Sequence, residues 1–287
     1  MSTVTTTAGG SRGDFSEREF PMTDSDFERI KQITFSLTGI TLSNHKRNMV
    51  YGRLARRLRR LKMECFADYC DLVDRQDTDE TTEFINSITT NLTSFFREGH
   101  HFEYLKSEVI PNLLVKNAKT KRLRIWSAGC STGEEPYSIA MVLRTFTQLK
   151  NWDVKILATD LDSNVVQKAK EGVYTVERAD GIPDQYRKFL SVDKAKENVR
   201  AKDSIAELIT FKQLNLLHDW PMKGPFDIIF CRNVVIYFNA DTQRELFDRY
   251  ANILTETGRL FIGHSESLHN ITTRFTAKGR TIYERNR

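Results

Sequence analysis

The chain has 287 residues, 39% of them hydrophobic and 28% charged, with a formal net charge of +5 at pH 7. That length and balance predict one large or two modest globular domains with a real core. No stretch is long or apolar enough to span a bilayer, which argues against direct membrane insertion. The four cysteines lack metal-ligand spacing, and no two of the six histidines sit at helical ligand spacing, so free thiols in a reducing compartment and no metal are expected. The first residues, M-S-T-V-T-T-T-A-G-G-S, carry no apolar secretory core, so a cytoplasmic protein is expected.

Residues 1–20 are rich in Thr, Gly, Ser and charge and read as a disordered tail. Residues 21–90 read as a helical N-terminal domain. Thr23 or Ser25 can cap a first helix with Phe27, Ile30 and Ile33 on one stripe. Residues 44–62 hold eight Lys or Arg and no acid. Met49 or Val50, Leu54, Leu58 and Leu61 line one face of that helix; Arg53, Arg56, Arg57, Arg59 and Arg60 take much of the rest. Three readings of this basic face stay open: a solvated surface balanced by acids on neighbouring helices, a nucleic-acid contact, and a docking surface for an acidic protein. Further helices are expected over Ala67 to Val73 and Asp79 to Thr89.

Residues 91–100 join this domain to the rest of the chain. In N-L-T-S-F-F-R the aromatics either anchor a linker or belong to a loop that lays Asn91, Thr93 and Arg97 against a ligand. A helix from Glu98 to Val115 leads into residues 101–287, where strands and helices alternate. Leu123 to Ser127 alternates like a strand. Ala128 to Gly133 is a small-residue turn, and Glu134 to Lys150 has helical apolar spacing. Asp153 to Ala158 is a second strand, with Asp160 at its end.

In a doubly wound sheet this unit holds an adenosine cofactor: the glycines let the backbone approach, and the acid can bond both ribose hydroxyls. Ser131 with Glu134, and Thr132 with Glu135, match capping boxes. Two carboxylates at a helix start would repel a diphosphate, and Gly-x-x-x-Gly is not the dinucleotide pattern. S-adenosylmethionine fits better, having adenosine, no phosphate, and a sulfonium and an ammonium for the acids to face.

Residues 171–207 interrupt the alternation and predict a small inserted antiparallel β-subdomain, with strands near Val173 to Val176 and Asn198 to Ala201. Leu208 to Leu214 and Phe226 to Cys231 are further strands, ending at Asn215-Leu216 and Arg232-Asn233. A helix over Asn239 to Leu254, a parallel strand over Arg259 to Gly263, and an antiparallel pair over Ile271 to Phe275 and Arg280 to Glu284 complete an α/β, Rossmann-like methyltransferase pattern. The polar groups at four strand ends then share one rim. Asp160 suits the ribose, Asn215 and the Leu216 backbone the adenine, and Arg232 and Asn233 the methionine end or the acceptor.

N-L-T-S-F-F-R, G-C-S-T-G-E-E-P-Y-S-I-A, A-T-D, N-L-L and F-C-R-N-V-V-I-Y-F, in this order, closely resemble the CheR family of chemotaxis receptor methyltransferases. The resemblance runs from about Pro21 to the end. It implies a helical domain followed by a methyltransferase domain with an inserted β-subdomain. It also implies methylation of glutamate side chains on membrane chemoreceptors, with S-adenosylhomocysteine as product. Carried onto this sequence, it implies cofactor contacts from Asn91, Thr93, Arg97, Glu134, Asp160, Asn215, Leu216, Arg232 and Asn233. Arg97 and Tyr237 are the catalytic candidates, for positioning the acceptor, although Tyr237 also reads as a core aromatic. Acidic receptor helices would dock on Arg53, Arg56 and Arg59. The β-subdomain is a plausible second contact, for a receptor C-terminal peptide.

Overall fold

The computed structural model describes residues 18–75 and 78–286. Residues 1–17 of the expected tail lie outside the described residues; Phe20, within that expected tail, is buried with Met22 against the helical domain.

The N-terminal domain packs α1 (Asp24–Thr38), α2 (Arg47–Leu61), α3 (Phe66–Asp74) and α4 (Thr78–Ile88) around Phe27, Ile30, Leu54, Leu58, Phe66 and Phe84. Thr23 caps α1 in a full capping box with Asp26, and Gly39 ends it at φ +71°, a left-handed position that favours glycine. The linker leads to α5 (His100–Tyr104), a π-turn over Leu105–Val109, and α6 (Ile110–Lys116).

The second domain follows as β1 (Arg122–Ala128), α7 (Glu134–Leu143), β2 (Asp153–Asp160) and α8 (Ser163–Glu171). The insertion then supplies β3 (Val173–Thr175), α9 (Val176–Ala179), α10 (Asp184–Arg187), β4 (Leu190–Val192), β5 (Asn198–Ala201) and α11 (Asp203–Ala206). β6 (Ile209–Gln213), β7 (Phe226–Cys231), α12 (Ala240–Ile253), β8 (Leu254–Ile262), β9 (Phe275–Gly279) and β10 (Ile282–Arg285) complete it.

The main sheet has seven strands in the order β6-β2-β1-β7-β8-β10-β9, with β6, β2, β1, β7 and β8 parallel and β10 antiparallel to both its neighbours. Every residue of β7 is buried. Its Ile228 and Phe230 join the core on one face and Ile229 and Cys231 the core on the other, as a strand covered on both sides requires. The insertion forms its own three-stranded antiparallel sheet, β3-β5-β4.

Several element ends differ from expectation. α7 stops at Leu143 rather than Lys150: the Thr145 hydroxyl donates to the Val142 carbonyl, and the β-branched and aromatic run Thr145 to Thr147 turns into a 3-10 helix over Thr147–Asn151. Neither expected capping box forms at its start. Gly133 occupies the N-cap at φ +97° with no side-chain cap bond, and the Thr132 hydroxyl instead bonds Glu134. The first strand of the terminal pair begins at Phe275, four residues later than Ile271, which remains in the preceding turn. No helix among the described residues is long and apolar enough to cross a membrane.

Candidate functional site

A cavity of about 440 Å³ opens where the carboxyl ends of β1, β2 and β7 meet the N-terminal domain. That volume lies in the range of small-molecule sites. Its floor is the β1–α7 turn. Gly129 sits there at φ +125°, and a Cβ on it would collide with the Val234 side chain. Gly133 makes room for the Tyr174 hydroxyl, which a Cβ would meet at 2.8 Å. Both glycines therefore admit protein neighbours, and Gly129 alone of the two also faces the cavity.

Asp160 ends β2 at the cavity wall. Its Oδ2 accepts from the Ser131 amide at 2.7 Å and its Oδ1 from the Asp162 amide at 3.0 Å, which ties the two strand ends together. Burial pushes its carboxyl up to about 6, against the pull of those amides.

The linker forms the opposite wall. The Asn91 side-chain Nδ2 donates to Asp162 Oδ2 at 2.7 Å, and the Asn91 backbone carbonyl accepts from the Ser131 hydroxyl at 2.9 Å. Asp162 also caps α8 and accepts from the Thr89 hydroxyl at 2.8 Å. The second acid of A-T-D-L-D thus seats the linker on the sheet. The Arg97 guanidinium donates to the Leu92 carbonyl at 2.9 Å, its one hydrogen bond among the described residues, so most of its five donors remain for a ligand, while the Arg97 carbonyl accepts from Arg232.

Of the nine expected cofactor residues, eight line this cavity: Asn91, Thr93, Arg97, Asp160, Asn215, Leu216, Arg232 and Asn233. Glu134 does not. It is fully buried beside the turn, bonded to Thr132 and paired with Arg178 at 2.6 Å. The acid facing the cavity is its neighbour Glu135, which accepts from Ser127 Oγ at 2.7 Å and Arg232 Nη1 at 3.0 Å, its carboxyl raised by burial. Two adjacent acids at a helix start point about 100° apart, and the sequence alone did not fix the phase.

Other residues are engaged in ways the sequence hid. The Asn215 side-chain Nδ2 donates to the Leu37 carbonyl of α1 at 2.9 Å, and its Oδ1 accepts from the Leu217 amide at 3.0 Å. The Leu216 carbonyl accepts from Trp220 and Arg249. Arg232 is buried between Glu135 and Glu98, with Glu98 Oε2 at 3.3 Å. Burial would raise the Glu98 carboxyl, but the His264 hydrogen bond and the Arg232 charge outweigh it and hold it at about 2.

Tyr237 lines the cavity half-buried, its carbonyl accepting from the Thr41 amide of the N-terminal domain at 2.8 Å. Burial raises its hydroxyl pKa, against the Arg53 and Arg97 charges. Its loop is held by Glu266, which sequence reasoning missed. This buried carboxylate accepts from the amides of Gly263 at 2.5 Å, Asn233 at 2.9 Å and Ile236 at 3.3 Å. Asn233 sits at φ +60°, and Gly263 leaves space for its side chain. The only sequence signal was an acid in the turn after the last parallel strand.

The three arginines expected to dock an acidic partner do not form one row. Residues three and six apart fan about 120° around a helix. Arg53 turns to α4 and donates to the carbonyls of Ile88 at 2.8 Å and Thr89 at 2.7 Å, satisfying that helix's end. Arg59 pairs with Glu19, and Arg56 is exposed, its guanidinium bonding the Gly52 carbonyl of its own helix. Arg57, expected on the surface, is buried against Glu80 and Glu83. The histidines also come closer than their scatter suggested: Glu98, His100 and His101 place potential ligand atoms within 4.8 Å of one another. The Arg232 guanidinium on Glu98 opposes a cation there.

These features suit a phosphate-free adenosine cofactor. The Glu135 carboxylate at the start of α7 and the Asp160 carboxylate at the end of β2 both face the cavity, where a diphosphate would be repelled. Comparison with known families agrees. The model of the CheR methyltransferase all-alpha domain matches residues 25–89, and that of the CheR methyltransferase SAM binding domain matches residues 91–283. Similar proteins include a chemotaxis protein methyltransferase of Escherichia coli, 41% identical over 267 residues, with 91% of each chain covered. Another is a chemotaxis protein methyltransferase 2 of Pseudomonas aeruginosa, 40% identical, with 94% of this chain and 96% of the relative covered.

Proposed function

This chain belongs to the CheR methyltransferase family and is an S-adenosylmethionine-dependent methyltransferase, and from that premise we propose that it methylates glutamate side chains on the cytoplasmic part of membrane chemoreceptors. The observation that carries the reading is the convergence of Arg97 and Tyr237 on the cavity that also holds Asp160. An acceptor carboxylate and a cofactor would then share one enclosed space. When bound, S-adenosylmethionine supplies a sulfonium methyl to a carboxylate oxygen, the C–S electron pair staying on sulfur.

Asp160 would hold the ribose hydroxyls, and the Leu216 loop would flank the adenine. Glu135 and Arg232 lie toward the methionine end; buried together, they supply a fixed charge pair rather than a mobile one. Glu134, beneath the turn, contributes by holding Arg178, whose guanidinium also reaches the Thr93 carbonyl at 3.4 Å. The acceptor carboxylate meets the unused Arg97 donors and the Tyr237 hydroxyl. A glutamate titrates near ~4.3, so no residue of this chain has to remove a proton. Catalysis comes from holding the carboxylate in line and dry, an effect worth roughly 7–11 kcal/mol. Because attraction between anion and cation fades toward the transition state, Arg97 serves orientation rather than tight ground-state pairing.

Arg56 supplies long-range attraction for an acidic receptor helix, Arg59 joins it where a receptor acid displaces Glu19, and Arg53 shapes the α4 end beside them. The β-subdomain offers a second contact, since the edge strand β4 can accept a receptor peptide as an added strand; Val192 on it is exposed. The test is incubation with methyl-labelled S-adenosylmethionine and a chemoreceptor cytoplasmic fragment. Label on the fragment that is released by mild base is expected for a glutamate methyl ester. Base-stable label, or label on nucleic acid instead, contradicts the reading.

A further inference from the structure

Six large apolar side chains are exposed among the described residues. Phe35, Leu61, Val115 and Val192 lie away from the cavity, and isolated exposures of that kind are ordinary. Leu92, 80% exposed, and Ile236, 48% exposed, both line it.

Their backbones are fixed. The Leu92 carbonyl accepts the Arg97 guanidinium, and the Ile236 amide is held by the buried Glu266 carboxylate. Each sits beside an expected acceptor-positioning group: Leu92 carries the carbonyl that holds Arg97, and Ile236 precedes Tyr237. An acceptor carboxylate that reaches Arg97 and Tyr237 thus arrives in a cavity whose lining also exposes both side chains, and what flanks it in its own chain can pack against them. Burying leucine and isoleucine surface favours apolar neighbours and disfavours charged ones.

Resting on the methyl-transfer reading of the cavity, we propose that Leu92 and Ile236 form an apolar lip that selects the acceptor by its neighbours. The favoured partner is a protein segment in which the target carboxylate is flanked on the same face by small or aliphatic side chains. Arg97 recognises the charge, and the lip recognises the context.

The test uses the full chain, labelled S-adenosylmethionine at saturation and a receptor cytoplasmic fragment, with Leu92→Ser, Ile236→Ser and the double variant. Cofactor affinity is followed in parallel by calorimetry. The double variant is expected to raise KM for the fragment about tenfold, leaving kcat and cofactor Kd within twofold. Replacing the aliphatic neighbours of the target glutamate by serine should raise KM for the wild-type chain and add little for the double variant. An unmoved KM, or losses that simply add, overturns the lip. Absence of transfer by the wild-type chain sinks the functional reading and the lip with it, whereas normal transfer with an unmoved KM sinks the lip alone.

Discussion

The sheet edge and the basic helix α2 both stood out in the sequence, yet the two regions turned out differently. At the sheet edge, short turns follow parallel strands, so residues far apart in the chain are forced onto one rim, and Asp160, Asn215 and Asn233 line one cavity. On α2 the charges radiate outward, and their neighbours decide their use: Arg57 is consumed by Glu80 and Glu83, Arg53 by the end of α4, and Arg59 by Glu19. Strand ends converge by topology, whereas helix faces acquire meaning only from what packs beside them.

The largest expected effect is on the sheet edge. Asp160→Ala removes the proposed ribose acceptor; two charge-assisted hydrogen bonds at roughly 1.5–3 kcal/mol each imply about a 100-fold rise or more in Kd for S-adenosylhomocysteine. Calorimetry checks this, and an unchanged Kd would break the contrast by making Asp160 merely a tie between strands. Arg97→Ala should lower kcat about 100-fold with cofactor Kd moved far less, read from steady-state transfer.

Glu266→Ala strands several buried amides. It should lower the melting temperature by roughly 5–10 °C and reduce kcat, with Glu266→Gln recovering part of both. A Glu266→Ala protein with normal melting and turnover would remove Glu266 from the support of the loop.

The pH dependence follows from Asp160. Below about 6 its carboxyl takes up a proton and loses an acceptor lone pair, so cofactor affinity should be flat above pH 7 and decline by up to about tenfold per unit below 6. Calorimetry on the Asp160→Asn variant should lose that slope; a slope that persists would assign it to another group.

The smallest effects belong to α2. Reversing Arg56 and Arg59 together should raise KM for the receptor fragment about threefold and leave cofactor Kd alone, since exposed charges act weakly. Arg53→Ala should instead lower the melting temperature, because it frees the α4 carbonyls. A larger effect on KM from Arg53 than from Arg56 would reverse the contrast between buried and exposed arginines.

Much of the fold was legible because its strands are short apolar runs ended by polar residues; Phe226 to Cys231 was bounded at both ends. The site was legible where a motif sits on a strand end, as with Asp160 and Asn233. It was illegible where helical phase or tertiary partners decide: Glu135 rather than Glu134 faces the cavity, and Arg53 caps a helix that its own sequence neighbourhood does not reveal. Glu266 and Asp162 escaped for a related reason. Glu266 accepts from backbone amides, and Asp162 from the amides that start α8 and from the Asn91 and Thr89 side chains, and that demand appears only once the chain has turned.

A co-crystal structure with S-adenosylhomocysteine tests the cavity most directly. The expected result is the product lying between the β1–α7 turn and the linker, its ribose hydroxyls on the Asp160 carboxylate and its sulfur facing Arg97 and Tyr237. Product bound at any other surface, with this cavity closed or filled by side chains, would contradict the placement of the reaction here.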